Sequence, residues 1–271
     1  MTSAEVSRTV HPAAAARHAM WSAVVLTAVF GLVVPGAAGP PFVTDDPDTP
    51  EPGGWEINLP VVLEREGAGS EIEGPVFDVN YGLRSNVQLM VEGGILTLRP
   101  ERGRSVSGMA DMAVGLKWRF LDEQGGWPAL ALYPQVSLPT GDEERGLGDG
   151  RPAYVLPLVV SRSFGRWTLF GNVGRVVQTV DGGRDYWFHG LVVEREIGDR
   201  LSLAAEVYGN SPYEWGERSV TAFNVGGTLR VTDRYGLLFS AGRGLSGGPD
   251  TTVYLGLQVL VGGRVSAQAL D

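Results

Sequence analysis

Beyond residue 39 the chain carries a single histidine, His189, and it has no cysteine at all. Zinc, copper or iron sites of the ordinary His/Cys type are therefore not expected, and no metal or cofactor is assigned. A Ser-His-acid hydrolase would have to run through His189. That residue sits in Tyr186-Trp187-Phe188-His189, a run that reads more simply as an aromatic girdle. The reading is thus non-enzymatic, with a hydrolase as its least favoured alternative. Residues 140–150, Thr-Gly-Asp-Glu-Glu-Arg-Gly-Leu-Gly-Asp-Gly, have the carboxylates and glycine turns of a calcium loop, but their spacing matches no twelve-residue calcium hand. A solvated loop, or a lid folded inwards, fits better. Gly146 to Gly150 is no phosphate loop, since no helix follows and no lysine is placed for it.

The elements that must carry these residues are short strands. Residues 109–121 alternate, with Ala110, Met112, Val114, Leu116, Trp118 and Phe120 opposite Asp111, Ala113, Gly115, Lys117 and Arg119. The same period of two runs through Trp55 to Glu64, Leu201 to Tyr208, Phe223 to Val231 and Val253 to Val259. These segments are longer than the globular average of about five or six residues and match the ~9 to 11 that a tilted membrane strand needs. Aromatics such as Trp55, Tyr81, Trp118, Phe120, Trp127, Trp167, Tyr186, Trp187 and Tyr235 crowd the segment ends, as interfacial girdles do. Strands at 153–164, 167–178, 186–196 and 236–244 mix polarity on both faces, and Arg175, Arg195 and Arg243 imply either a bulge that resets the phase or a place at the rim.

The connections drawn between these strands alternate. Those at 84–86, 122–126, 165–166, 197–200 and 232–235 are tight. Those at 65–71, 97–108, 139–150, 179–185, 211–219 and 245–251 are longer, with no overlap between the two classes. In an up-and-down barrel every second connection emerges on one side, so the pattern predicts an all-β, antiparallel transmembrane β-barrel of about twelve strands, its short turns periplasmic and its long loops outside.

At the N-terminus, Arg8 and Arg17 precede an apolar run from Ala19 to Val34, broken by Pro35-Gly36 and followed by small residues. This reads as a cleaved signal peptide over residues 1–39, because the run falls short of the ~20 residues of a spanning helix. An acidic, proline-rich stretch at 40–54 follows, read as a periplasmic lead-in or else a plug; then the barrel at 55–261 and a tail at 262–271. Removing residues 1–39 takes away two arginines and one glutamate, moving the net charge from −9 to −10. So acidic a chain offers no footprint for nucleic acid. The 39 glycines and 17 prolines are scattered, as many turns and sheet kinks require.

If the polar faces line a lumen, its candidates from the cleaner strands are Glu56, Asn58, Asp78, Asn80, Gln88, Glu92, Asp111, Lys117, Arg119, Gln135, Glu206, Asn224, Thr228, Arg230 and Gln258. Either these groups only satisfy one another across a narrow bore, or they form a polar path or pocket.

Several stretches resemble the outer-membrane "transporter" family associated with the MetA (meta-cleavage) pathway of phenol degradation. They are residues 39–47 (Gly-Pro-Pro-Phe-Val-Thr-Asp-Asp-Pro) with Gly54-Trp55-Glu56, residues 78–83, residues 115–120, Leu138-Pro139-Thr140-Gly141-Asp142 leading into residues 145–151, and residues 239–245. The resemblance implies a single barrel in the Gram-negative outer membrane, with lipid, the barrel-insertion machinery and a small-molecule solute as its partners. The chain departs from the common pattern at its end. Barrels of this kind close on an aromatic residue, whereas here the last strand reaches Leu260-Val261, with Tyr254 as its remaining aromatic. The leading expectation is passage of small compounds, aromatic or hydrophobic ones among them. The alternative is a non-conducting structural or adhesion barrel acting through its loops.

Overall fold

In the computed structural model, residues 39–180, 182–212 and 218–262 are described. The signal-peptide reading and the tail after Gly262 lie outside them. The strands are β1 (Trp55–Glu66), β2 (Gly69–Arg84), β3 (Val87–Arg99), β4 (Val106–Met109), β5 (Met112–Leu121), β6 (Ala129–Leu132), β7 (Gln135–Leu138), β8 (Ala153–Phe164), β9 (Trp167–Gln178), β10 (Tyr186–Ile197), β11 (Leu201–Asn210), β12 (Val220–Arg230), β13 (Tyr235–Ser246) and β14 (Thr251–Val261). Every neighbour pair is antiparallel, and β1 pairs with β14 from Trp55–Val261 to Arg65–Thr251, so the sheet closes. Because β3 pairs with both β4 and β5, those two are one stave broken at Ala110-Asp111. Likewise β8 pairs with β6 and β7, one stave broken at Tyr133-Pro134, where proline has no N–H to offer the ladder. The barrel therefore has twelve staves. An even number leaves the two ends of the barrel chain on one side, called here the terminal end, opposite the loop end.

Side chains sort by face as a membrane barrel demands. Leu59, Val61, Leu116, Leu158, Leu191, Val225, Leu255 and Leu257 all point outwards and are exposed. Asn58, Asp78, Gln88, Lys117, Glu206 and Asn224 point inwards and are buried. This is the inverse of a soluble protein, and it follows from lipid outside and polar partners inside.

The structure corrects three expectations. The two non-overlapping classes of connection do not hold: β1 runs on to Glu66 and β2 starts at Gly69, so the first loop-end connection is only Gly67-Ala68, while the terminal-end link after β5 occupies residues 122–128. Strands reach further into one connection and stop earlier in the other, because ladder hydrogen bonding continues past the point where alternation is visible. Ala110 does not join Met112 on the outer face. The break at Ala110-Asp111 resets the phase, leaving Ala110 buried against Leu96 and Leu147 on the inside. Tyr186 is no girdle residue, since it turns inwards and packs with Ala153, Val155 and Val176 while Trp187 faces out. Tyr254 lies on the inner face of β14, between the outward Val253 and Leu255, as the period of two there predicts. Of the three arginines that were hard to place, Arg175 pairs with Asp185 at 2.9 Å and stacks over Trp187, and Arg195 stacks over Trp167. Both lie on the outer face near strand ends, where charge costs little.

The outward face sets a stability test. Leu255 stands mid-stave, beside Val61 and Phe239. Leu255→Arg is expected to destabilise the barrel by about 2 to 4 kcal/mol, against about 0 to 1 for an arginine placed at a rim. Urea titration of the protein folded in lipid vesicles measures the difference.

Candidate functional site

The inside of the barrel is the candidate site, and its first occupant is the chain itself. Residues 39–50 enter the bore from the terminal end. Two glycines permit the close approach. A Cβ on Gly82 would overlap the carbonyls of Pro50 and Glu51, and one on Gly190 would overlap the Thr44 side chain. Lys117, on β5, donates from Nζ to Asp45 Oδ1 at 2.9 Å, to the Asp46 carbonyl at 2.8 Å and to the Asp48 carbonyl at 3.2 Å. On the other side of the bore, Glu206 of β11 accepts the Thr44 N–H at 2.6 Å and the Asn224 amide at 2.7 Å. Phe42 packs against Phe170, Val192 and Ala204, and Ser240 donates to the Pro41 carbonyl at 2.7 Å. The segment thus bridges the lumen between a buried cation and a buried carboxylate.

On the terminal side of this segment lies a cavity of about 770 Å³. Glu56, Asp78, Asn80, Glu92, Lys117, Arg119 and Arg230 all border it, as do Gln88, Thr228 and Gln258. Of these, Arg230 is exposed at the rim. A hydrogen-bonded chain runs along its wall. Gln88 donates to Asn80, Asn80 donates to Asp78 at 2.8 Å, and Asn58 donates to both Asp78 (2.9 Å) and Glu56 (3.2 Å), while Gln258 also donates to Glu56 at 3.0 Å. Asn58, Glu206 and Asn224 lie deeper, and Gln135 stands on β7 with both amide atoms free of protein partners. Asp111 is set apart from the cavity. Its two carboxylate oxygens accept the N–H groups of Gly141 and Asp149, both at 2.8 Å, and so pin the loop between β7 and β8.

That loop turns inwards. Leu147 is 1% exposed, wedged against Leu96 and Ala110 at the loop end. Its carboxylates serve the loop's own geometry, with Asp142 capping the short 3-10 turn Glu143–Arg145. Burial, together with the nearby charges of Asp111 and Glu143, pushes Asp149 up to about 6. Among the described residues no group of three or more His, Cys, Asp or Glu side chains is arranged to hold a metal ion. His189 is exposed on the outer face of β10, with the barrel wall between it and the luminal carboxylates, so no triad forms with them.

Two luminal features were missed in the sequence. Phe42, Thr44 and Asp45 sit before any strand, and nothing in their periodicity marks them as buried. The second is the wall made by β8 to β10, where Val155, Val159, Phe170, Val176 and Val192 face inwards. Its signal lay in the strands that showed no clean alternation, since a barrel strand with lipid on one side and an apolar lumen on the other has no polar face to alternate with.

A closed twelve-stave barrel, apolar outside and largely polar within, defines a β-barrel of the outer-membrane type. The model of the family described as "Putative MetA-pathway of phenol degradation" matches residues 39–260, and the chain belongs to that family. No curated protein matches the sequence. Among solved structures, the COG4313 outer membrane channel from Pseudomonas putida F1 is similar, at TM-score 0.65 and 14% identity over 83% of this chain and 100% of that one. The NanC porin follows at TM-score 0.55 and 7% identity, over 75% of this chain and 98% of that one. Outer membrane phospholipase A from Escherichia coli covers 83% of this chain and 94% of its own at 13% identity, but its TM-score of 0.42 is too low to argue from. These identities speak to the fold alone.

The docked segment makes a pH prediction. Burial pushes the Asp45 carboxyl up to about 7, outweighing the pull of Lys117. In solvent the same group titrates near 4. The docked form therefore binds the proton more tightly, so docking strengthens as pH falls from about 7 towards 4 and is weakest above 7. Hydrogen exchange in residues 42–48, corrected for intrinsic rates, should show more protection at pH 5.5 than at pH 8. Equal protection would mean that Asp45 is not what holds the segment.

Proposed function

We propose that this protein is an outer-membrane channel for small molecules, held in a closed conformation by its own N-terminal segment. The observation that carries the reading is the bridge across the bore: Asp45 on Lys117 at one wall and Thr44 on Glu206 at the other, next to a cavity of about 770 Å³. A barrel that served only as a scaffold could be filled by its own strands' side chains. Here twelve staves leave a space that an extra segment must enter, which suits a conduit that can be emptied. The similarity to a COG4313 outer membrane channel and to a porin supports a conducting role and the outer membrane as location. The family description supports solutes of the phenol-degradation kind, aromatic compounds among them. With the long loops outside, residue 39 falls on the periplasmic side, consistent with removal of an export signal just before it.

Planar-bilayer recording tests this with the purified full-length protein and with Gly190→Val. Valine suits a strand, but its side chain would occupy the place of Thr44 and expel the segment. The expected result is brief, rare openings for the unaltered protein and sustained conductance for the variant, both folded as judged by heat-modifiable migration on a denaturing gel. Folded protein that passes no current in either form would sink the channel reading in favour of a non-conducting barrel.

A further inference from the structure

The two walls of the bore differ in chemistry. Six carboxylates descend the wall made by β1 to β3, from the loop end to the terminal end: Glu64, Glu71, Glu73, Glu92, Asp78 and Glu56. Glu64 and Glu71 are direct cross-strand partners on the same face, as are Asp78 and Glu92. Like charges directly opposite one another destabilise a ladder, so such pairs invite a counter-charge. The fold supplies little. Lys117 stands at the lower end, committed to Asp45 and to two backbone carbonyls. From Lys117 towards the loop end, none of the described strand residues that face the bore is Lys, Arg or His.

A second observation at the same wall points to a ligand. Asn58 is 0% exposed, and its amide nitrogen donates to both Asp78 and Glu56, which aims the side chain into the column. Its Oδ1 has no protein donor, and neither has Glu71 Oε2, although that residue is also buried. A buried acceptor left without a donor costs about 1 to 3 kcal/mol. Here two such acceptors, Asn58 Oδ1 and Glu71 Oε2, lie on one wall.

Five staves further round the ring of twelve, the wall of β8 to β10 presents Val155, Val159, Phe170, Val176, Tyr186 and Val192. Asn172 interrupts it at mid-depth, its amide nitrogen also unpartnered, and at the terminal end Glu194 and Glu196 of β10 face the bore and border the cavity. From Val192 towards the loop end, a carboxylate column thus faces a largely apolar wall across one bore.

We propose that the bore selects small organic cations with an apolar body, the class of aryl-alkyl and alkyl ammonium ions. The ammonium N–H groups meet the carboxylates and the Asn58 carbonyl oxygen. The hydrocarbon part lies along the β8 to β10 wall. Anionic aromatics, such as ring carboxylates, are excluded by the same charges. This inference rests on the channel reading and names its solute class.

Reversal potentials across a planar bilayer test it, using the full-length protein and Gly190→Val, with gradients of phenethylammonium chloride, sodium phenylacetate and sodium chloride. Phenethylammonium is expected to be more permeant than chloride and than the smaller sodium ion, with phenylacetate almost excluded. A wall of one sign enriches its counter-ion on the order of tenfold or more, and Glu64→Gln/Glu71→Gln/Glu73→Gln should lose most of that preference. Heat-modifiable migration establishes that this variant is folded; were it not, the selectivity of the full-length protein decides alone. Current carried by phenylacetate as readily as by phenethylammonium would overturn the cation inference and leave the channel standing. Absence of current with every salt, in both proteins, would fell the channel reading itself.

Discussion

The seam between β1 and β14 is the constraint from which the rest follows. Eleven residues of β1 find partners on β14, so no strand is left with an open edge of N–H and C=O groups. In hydrocarbon an unpaired edge is prohibitively costly, and closure is the only way a sheet can satisfy its backbone there. Once the sheet is closed, period-two alternation becomes an inside and an outside. Leucines and valines then meet lipid without penalty, while Asp78, Lys117 and Glu206 must find partners within the bore. The stave number follows the same logic. Twelve staves enclose more space than their inward side chains fill, which leaves room for another piece of chain.

That piece of chain is held by charge as much as by packing. Lys117 and Asp45 are both buried, and a buried pair earns little net stability from its attraction alone, because both ions have lost their water. Two further carbonyls on Lys117, and the amides around Asp78 and Glu56, share the burden. Asp45 remains the weakest member, as its upward shift to about 7 indicates. An element anchored through an ionisable group in a polar lumen can be displaced by solute, counter-ion or a rise in pH, whereas one anchored by hydrocarbon alone could not. Phe42 adds the apolar part of the contact, against Phe170 and Val192, and so touches the wall opposite the carboxylates.

Legibility in the sequence varied with the kind of signal. Strands with one polar face, such as those around Lys117 and Glu206, could be drawn with their faces correct because lipid and lumen impose opposite requirements on successive residues. Where both faces are apolar, as in Val155 to Val160, alternation vanishes and the strand looks irregular although it is as regular as the rest. Connection lengths misled, because turn residues such as Gly67-Ala68 are recognisable but the last ladder pairs beside them are not. Ala110 illustrates a third limit. A two-residue break in a stave leaves no mark in composition, yet it reverses which side every residue before it faces.

By itself the sequence determined that this chain builds a closed antiparallel barrel of about twelve strands, which side chains of its cleaner strands face inwards, and which family it belongs to. Those properties are local or repetitive: a period of two, turn residues, ordered motifs. Only the tertiary structure decided what the lumen contains. The docking of Thr44 on Glu206 spans 162 positions of sequence and the pairing of Asp45 with Lys117 spans 72, with no periodicity linking either pair. The facing of a carboxylate wall by a largely apolar one is likewise set by the ring, since strands five staves apart come face to face across a bore only when the seam closes.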